Sequence, residues 1–596
     1  MCGINGFSFK DENLIGKMHQ FIQKRGPDSN GYYTDANISL GHSRLSIIDT
    51  NERSNQPFKY KDLVIVYNGE IYNYLHLRKK ILDLGIELKT SSDTEVIIVL
   101  FDLYGVKAFK MLSGIFALSI WNKKKEKLYL IRDILGVKPL YYKHDENIKN
   151  IYFSSSIYAL KETDTKNEIS EEALFFYQNL GRNDSNESFL KGIFKLSPGE
   201  LIIFKKKILI KKHFLKFKYK KINITNYEIK KKIESIIKKQ FVSDVPVALS
   251  LSGGVDSNIV YHCLRKYHNE NINIYSFYFK DYEKFNEDFR VARENVKKFN
   301  GKLIPIEISY KDFINFSEKS TSALEEPLRS EASVLNYVMA NNVKEKVLLT
   351  GDGGDEIFTG YDQYRSIYYL YLINNINIFK KILKNTQFEN KQFKRLFMED
   401  SRDLYISFSE RNLYVDPEKY FKNFKELNVN SLKLNHSKKK DFKYNLDEVI
   451  EIDIDTKIPN DYLKRNDAIF MNKGIELRVP FYDEEMINLF LKLSIHKKFG
   501  FRGKSKHFLY SLFKNEIYNK TKRKWGLQSP LAKWMKNELQ PFLKEILSPG
   551  YYDGSNKYLN FDEIHKLINL HKEKYFNHHL LWSLVSFQIY IRQNKL

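Results

Sequence analysis

Up to about residue 200 the chain alternates short apolar runs with turn residues: SLGHSRLSII, DLVIVYNGEIYN, GIFALSIWN, KLYLIRD and PLYYK. Patterning of this kind, cut by Gly, Asn, Asp and Pro, predicts a strand-rich half with a few helices, one of them around Asp93 to Leu112. LSPGELIIF, Leu196 to Phe204, places a Pro-Gly turn before another strand. FKKKILIKKHFLKFKYKK, Phe204 to Lys221, then alternates apolar and basic residues, as a half-exposed strand does, and reads as the start of a linker. Beyond it the rhythm changes. An amphipathic helix from about Tyr227 to Phe241 leads into VPVALSLSGGVDS, a further helix, the strand INIYSFYF and later the strand that opens KVLLTGDGGDEIF. Strands alternating with helices predict a parallel sheet with crossovers. From about Tyr361 the pattern is mostly helical and Lys-rich, without internal repeats. The expected organisation is a first domain over 1–205, a linker over 206–226 and a second domain over 227–596.

A chain of 596 residues exceeds one compact core, so two to four domains are expected. With 42% hydrophobic and 15% aromatic residues it packs cores rather than staying disordered. Two cysteines, Cys2 and Cys263, cannot build a disulfide framework, which favours a reducing compartment. Neither a basic-then-apolar secretory start nor an apolar run of about 20 residues is visible, so a soluble, cytoplasmic protein with no membrane partner is expected. The net charge of +24 raises the question of nucleic acid. The lysines, however, are spread among many Asn, Ile, Tyr and Phe, so no nucleic-acid partner is expected.

VALSLSGGVDSNIV reads as a strand, a tight loop and a helix start. Backbone N–H groups around Leu251, Ser252, Gly253 and Gly254, together with the helix N-terminus, form an anion cradle, to which Ser252 and Ser257 add hydroxyl donors. Asp256 would repel phosphates unless a cation lay between them, which makes it a Mg²⁺ ligand candidate. The loop lacks the Lys-Ser/Thr ending of a Walker loop. Taken alone, GDGGDE (Gly351 to Glu356) fits an acidic turn or a calcium-type loop, but it lacks the alternating ligand spacing of an EF-hand and follows an apolar strand.

At the other end, Cys2 stands directly behind Met1. Removal of Met1 would leave an α-amino group of pKa ~7.7–8.0, able to take the thiol proton near neutral pH. One residue would then supply both nucleophile and base. Acyl transfer also needs an oxyanion hole and a clamp for the charged end of the substrate.

SGGVDS resembles the loop of the PP-loop ATP pyrophosphatases, which cleave ATP between its α and β phosphates. The resemblance implies an adenine-binding strand at Ser276 and ATP contacts at Gly351. It further implies Mg²⁺ on Asp256 and Asp355, with Asp352 and Glu356 toward the acceptor or nucleotide. The N-terminal motifs resemble the class II, N-terminal-nucleophile glutamine amidotransferases. That resemblance implies catalytic Cys2, an oxyanion hole from Asn68 and Gly69 in YNGEIYN, and a glutamine carboxylate on Arg44. Glu70 and Asp93 would take its α-ammonium, and Arg25-Gly26-Pro27-Asp28 matches a segment near the pocket.

The two together are similar to the glutamine-hydrolysing asparagine synthetases over nearly the whole chain. GIFALSIWN and RDILGVKPLYY extend the match, as do Asp461 to Asp483 (ending in E-x-R-V-P-F-x-D), the closing HLLWSLVSFQIY and Lys506, at the place of a catalytic lysine. Lys522 to Pro530 departs from the family's element by lysine for arginine and leucine for phenylalanine; about Ser366 to Asn445 matches nothing usable.

The implied fold is an α+β, αββα sandwich of N-terminal-nucleophile type followed by an α/β parallel-sheet domain with a helical C-terminal part. The implied substrates are glutamine, ATP and aspartate, with Mg²⁺ as cofactor, and homodimers occur in the family. Related frameworks amidate sugar acids of surface polysaccharides or peptides, or close β-lactams, and β-lactam synthetases usually lose the cysteine. A PP-loop enzyme of tRNA would carry an RNA-binding module or a CxxC pair, absent here. An inactive scaffold would lose Cys2, Asp256 or Lys506, and all three are present.

Overall fold

The computed structural model describes every residue except 1, 146, 164–166, 218–223, 269–271, 362–363, 370–416, 426–445, 500–505, 518–528 and 575–576. Most of the unmatched 366–445 segment, part of the linker and nearly all of the Lys522–Pro530 element therefore lie outside the described residues.

The strands are β1 (Gly3–Phe7), β2 (Ser29–Asp35), β3 (Ile38–Arg44), β4 (Phe58–Tyr60), β5 (Leu63–Ile71), β6 (Gly114–Asn122), β7 (Lys127–Arg132), β8 (Tyr141–Asp145), β9 (Asn150–Ser154), β10 (Phe194–Lys195), β11 (Glu200–Lys205), β12 (Ile208–His213), β13 (Val247–Ser250), β14 (Asn273–Phe279), β15 (Lys302–Ile308), β16 (Val347–Leu349) and β17 (Glu476–Arg478). The first twelve form two antiparallel six-stranded sheets, ordered β10-β8-β9-β1-β3-β2 and β12-β11-β7-β6-β5-β4. Their inner faces share one core, in which Ile4 and Leu40 meet Val64, Val66, Ala117 and Leu130. Outside the first sheet, Ile15, Met18 and Leu160 of flanking helices pack on Phe7 and Tyr152. Outside the second, the helix Asp93–Tyr104 buries every residue from Asp93 to Phe101. The result is the expected four-layer αββα sandwich.

One correction concerns the boundary. β12 pairs with β11 through Lys205↔Ile208, so residues 206–213 complete a hairpin of the second sheet and do not begin a linker. The two-residue turn holds Lys206 and Lys207 at φ 48° and 66°. Such a turn ordinarily carries Asn or Gly, and without them the strand that the alternation predicts was not paired with β11. As an edge strand, β12 exposes Ile208 and Ile210 between lysines, the charged blunting that discourages edge-to-edge pairing.

The remaining five strands form one parallel sheet, ordered β15-β14-β13-β16-β17. From β13 the chain first adds β14 and β15 on one side and then β16 and β17 on the other. That places a topological switch point between β13 and β16, where open α/β sheets bind ligands beyond the strands' carboxyl ends. The loops that follow these two strands are SGGVDS and GDGGDE. Helices fill most of the rest among the described residues, and none of them is long and apolar enough to cross a membrane.

Candidate active sites

The first pocket is a cleft of about 30 Å³, lined by Cys2, Arg44, Gly69, Glu70 and Asp93 among others. Cys2 precedes β1, which lies beside β3, and its backbone N–H donates to Asn68 Oδ1 at 3.0 Å. Asn68 Nδ2 is buried and has no hydrogen-bond partner among the described residues. A buried amide donor without an acceptor costs about 1–3 kcal/mol unless something accepts from it, as an oxyanion does. A Cβ on Gly69 would lie 2.1 Å from the Ile115 carbonyl, so only glycine fits where β5 crosses β6. Burial pushes the Cys2 thiol up; the N-terminal amine, the Leu45 N–H and Arg44 pull it back.

Arg44 lines the pocket with its guanidinium already engaged. Nη1 donates to Asn51 O (2.9 Å) and Asn55 Oδ1 (2.8 Å), and Nη2 to Asp49 O (2.5 Å) and Ile48 O (3.3 Å). It therefore fastens the 48–55 loop as a pocket wall besides bringing charge. Asp93, at the start of its helix, accepts from Tyr67 Oη (2.8 Å) and from the Ile71 N–H (3.1 Å). Burial, then Glu476 and Asp93, push Glu70 well above the usual carboxylate range against the pull of Arg478 and the N-terminal amine.

The second site stands at the switch point. Ser257 Oγ donates to Ser252 O (2.8 Å), Asn258 Nδ2 to Gly254 O (2.8 Å), and the Leu251 N–H to Tyr275 O (2.9 Å). These bonds hold the loop open above the helix Val255–Tyr267. Ser276, buried on β14, follows that last contact directly. A Cβ on Gly351 would fall 2.4 Å from Ser257 N, so backbone meets backbone where the two loops touch. From this junction Asp256 and Asp355 both reach Lys506 Nζ. Lys506 itself stands at φ 54°, a left-handed conformation that costs lysine about 1–2 kcal/mol. Asp352 accepts from Asn466 Nδ2 at 2.9 Å, and Glu356 accepts from Tyr361 Oη at 2.5 Å. Burial and Asp355 raise the Glu356 carboxyl.

Between the halves lies a cavity of about 60 Å³ whose walls come from both, Arg25, Arg132 and Ser155 on one side and Glu325, Lys464 and Asp467 on the other. Arg25 donates Nε to the Cys2 carbonyl (3.2 Å) and Nη2 to Asp467 Oδ2 (2.7 Å), while Lys138 Nζ meets Asp467 Oδ1 at 3.0 Å. Burial raises the Asp467 carboxyl, but these two cations outweigh it and hold it below its usual range. Asp467→Ala leaves two buried cations facing each other. The expected cost is about 3–5 kcal/mol, read as a lower urea midpoint of the full chain. An unchanged midpoint would show that the triad contributes nothing to stability.

The structure thus brings the residues of these motifs together in two places, Cys2, Arg44, Gly69, Glu70 and Asp93 around one cleft and Asp256, Asp355 and Lys506 at the switch point. What the motifs did not disclose is the rear of the first pocket. Glu476 and Arg478, from the E-x-R-V-P-F block of the second half, stand behind Glu70.

A cysteine beside an unpartnered buried amide stands in the first half, and two carboxylates converge on a lysine at a phosphate-type loop in the second. Residues 1–215 match the glutamine amidotransferase domain, and residues 228–592 match asparagine synthase. The chain belongs to the asparagine synthase family, whose members are ligases with glutamine as amide donor. It is 29% identical over 99% of its length to asparagine synthetase [glutamine-hydrolyzing] 1 of Bacillus subtilis, covering 96% of that protein. It is 27% identical to asparagine synthetase [glutamine-hydrolyzing] 3 of the same organism, over 61% of this chain and 64% of that one. Amidase chry2 of Gibberella zeae is also 27% identical, over 61% of this chain and 60% of its own.

Proposed function

We propose that the protein makes asparagine from aspartate, with glutamine as the ammonia source and ATP as the activating substrate. The observation that carries this reading is similarity over 99% of the chain to a glutamine-hydrolysing asparagine synthetase.

In the first pocket, once Met1 has been removed, the free Cys2 α-amino group accepts the thiol proton and Sγ attacks the glutamine amide carbon. The resulting oxyanion accepts from Asn68 Nδ2 and the Gly69 N–H. The proton then passes to the leaving nitrogen, ammonia departs, and water hydrolyses the thioester to glutamate. Glu70 and Asp93 take the substrate's α-ammonium, and Arg44 supplies charge for its carboxylate while keeping the 48–55 loop in place.

In the second site the aspartate side-chain carboxylate attacks the α-phosphorus of ATP, forming β-aspartyl-adenylate and releasing pyrophosphate. Ammonia then attacks the acyl carbon, AMP leaves and a proton is lost. The backbone of Leu251–Gly254 and the hydroxyls of Ser252 and Ser257 hold the phosphates. Ser276 and Gly351 shape the nucleotide's place, and Asp352 and Glu356 face the acceptor. Asp256 and Asp355 suit Mg²⁺, since two hard carboxylates from separate loops already converge on one cationic atom, Lys506 Nζ. When bound, the ion would supply neutralisation of phosphate charge. Lys506 stabilises charge developing between the acceptor carboxylate and the α-phosphate. The cavity between the halves is the passage for ammonia. Arg25, Arg132, Lys195 and Lys464 line it together with Glu325 and Asp467.

The test is the purified protein with glutamine, MgATP and aspartate, followed for AMP, pyrophosphate and asparagine together. Equal amounts of all three are expected. Glutamine hydrolysis without AMP or asparagine would overturn aspartate as acceptor and direct the search to sugar acids and peptides.

A further inference from the structure

Arg478 is 0% exposed, an unusual place for a guanidinium. Nε donates to Glu476 Oε1 at 2.5 Å, and Nη1 donates to the carbonyls of Gln240 and Val242, each at 2.7 Å. Nη2 instead points to Glu70 Oε1 at 3.9 Å and makes no hydrogen bond among the described residues. Glu476, also 0% exposed, adds its charge to the same pocket from behind. Burial raises it, but Arg478, the N-terminal amine and Lys138 together hold it below the usual range. The strand carrying both is β17, which belongs to the parallel sheet and not to the sandwich.

That strand also touches the other site. β17 pairs with β16, and the Thr350 N–H donates to the Arg478 carbonyl at 3.1 Å. Thr350 Oγ1 in turn accepts from the Asp352 N–H at 3.3 Å. Arg478 therefore faces Glu70 with its side chain and, through Thr350, is joined by its backbone to the start of the GDGGDE loop.

We infer that Arg478 and Glu476 are positioning residues of the glutamine pocket. They fix Glu70 where the substrate's α-ammonium arrives and make glutamine affinity answer to the state of the GDGGDE loop. This rests on the reading of the pocket given above. The charged or titratable groups around Glu70 include Glu476 and Arg478 on β17, Asp93 at its helix start, Tyr67, Tyr72 and Tyr74 on its own chain segment, and the N-terminal amine with the Cys2 thiol. Glutamine's ammonium needs Glu70 ionised, so KM rises as pH falls through the Glu70 titration. Removing the negative Glu476 eases that ionisation, and removing the positive Arg478 opposes it.

Glutaminase kinetics of full-length Glu476→Gln and Arg478→Gln across pH test this, with ammonia-dependent synthesis as the folding control. The pH below which glutamine KM climbs is expected to move down in Glu476→Gln and up in Arg478→Gln. At neutral pH, KM in Arg478→Gln should be raised about ten-fold with kcat held within about three-fold. Arg478→Lys, which keeps the charge but not the fork, should fall between. Adding MgATP and aspartate should change the glutamine KM of the unaltered protein and not that of Arg478→Gln. Shifts in the same direction, or ammonia-dependent and glutamine-dependent rates falling together, would mean a merely structural role and overturn the inference. Glutamine turnover that survives Cys2→Ala would instead overturn the reading of the pocket itself, whatever the β17 variants do.

Discussion

Cys2→Ala abolishes glutamine-dependent synthesis, by about 10⁴-fold or more, and leaves ammonia-dependent synthesis at the level of the unaltered protein. The asymmetry follows from where Cys2 sits. Its Sγ faces the first pocket alone, and its backbone bonds to Asn68 and Arg25 use N–H and C=O groups that alanine keeps. Glutamine loses the only thiol there, and the oxyanion donors alone cannot form a thioester. Added ammonium enters downstream of that step. The check is a pair of assays on one preparation, with glutamine and then with ammonium chloride as nitrogen source. Equal losses in both would mean that the cysteine supports the fold, and persistence with glutamine would mean that another nucleophile acts.

The mirror image is expected at the second site. Lys506→Ala lowers pyrophosphate release by about 10²–10³-fold, the usual consequence of removing one preorganised donor at a developing charge. Glutamine hydrolysis measured without ATP should persist. Lys506→Arg should recover little. The space holds a compact ammonium between two carboxylates, and a Cβ on neighbouring Gly360 would already lie 2.4 Å from Lys506 Cε, so a planar guanidinium does not fit. ATP–pyrophosphate exchange with aspartate reads this step in isolation. Exchange within about three-fold of the unaltered protein would remove Lys506 from the chemistry.

Both sites were legible in the sequence because their chemistry is local. A nucleophile with its own amine and a glycine turn between a strand and a helix each declare themselves within about a dozen residues, while the Asn68-Gly69 pair took its role only from the family resemblance. The pattern along the chain also foretold a strand-rich half followed by a parallel sheet, while the sandwich came only with the family resemblance. The alternation of β12 was legible as a half-exposed strand, but its pairing with β11 was not, since lysines occupy both left-handed turn positions and the stretch was assigned to a connector. Nor was the back of the glutamine pocket. Glu70 and Arg478 lie some four hundred positions apart, and no local pattern in E-x-R-V-P-F distinguishes a guanidinium facing its own sheet from one facing another domain. The Asp467 triad was hidden in the same way, its three members coming from three distant motifs.

The placement of β17 also bears on how such a chain can be recombined. A graft that joins this glutaminase to a foreign synthetase imports a different rear wall for its pocket, however cleanly the cut falls between the two halves. Exchange of parts between relatives, in the laboratory or by inheritance, succeeds only where the incoming half brings a matching Glu-x-Arg. Each half is built on its own sheets, yet one strand of the second walls the pocket of the first.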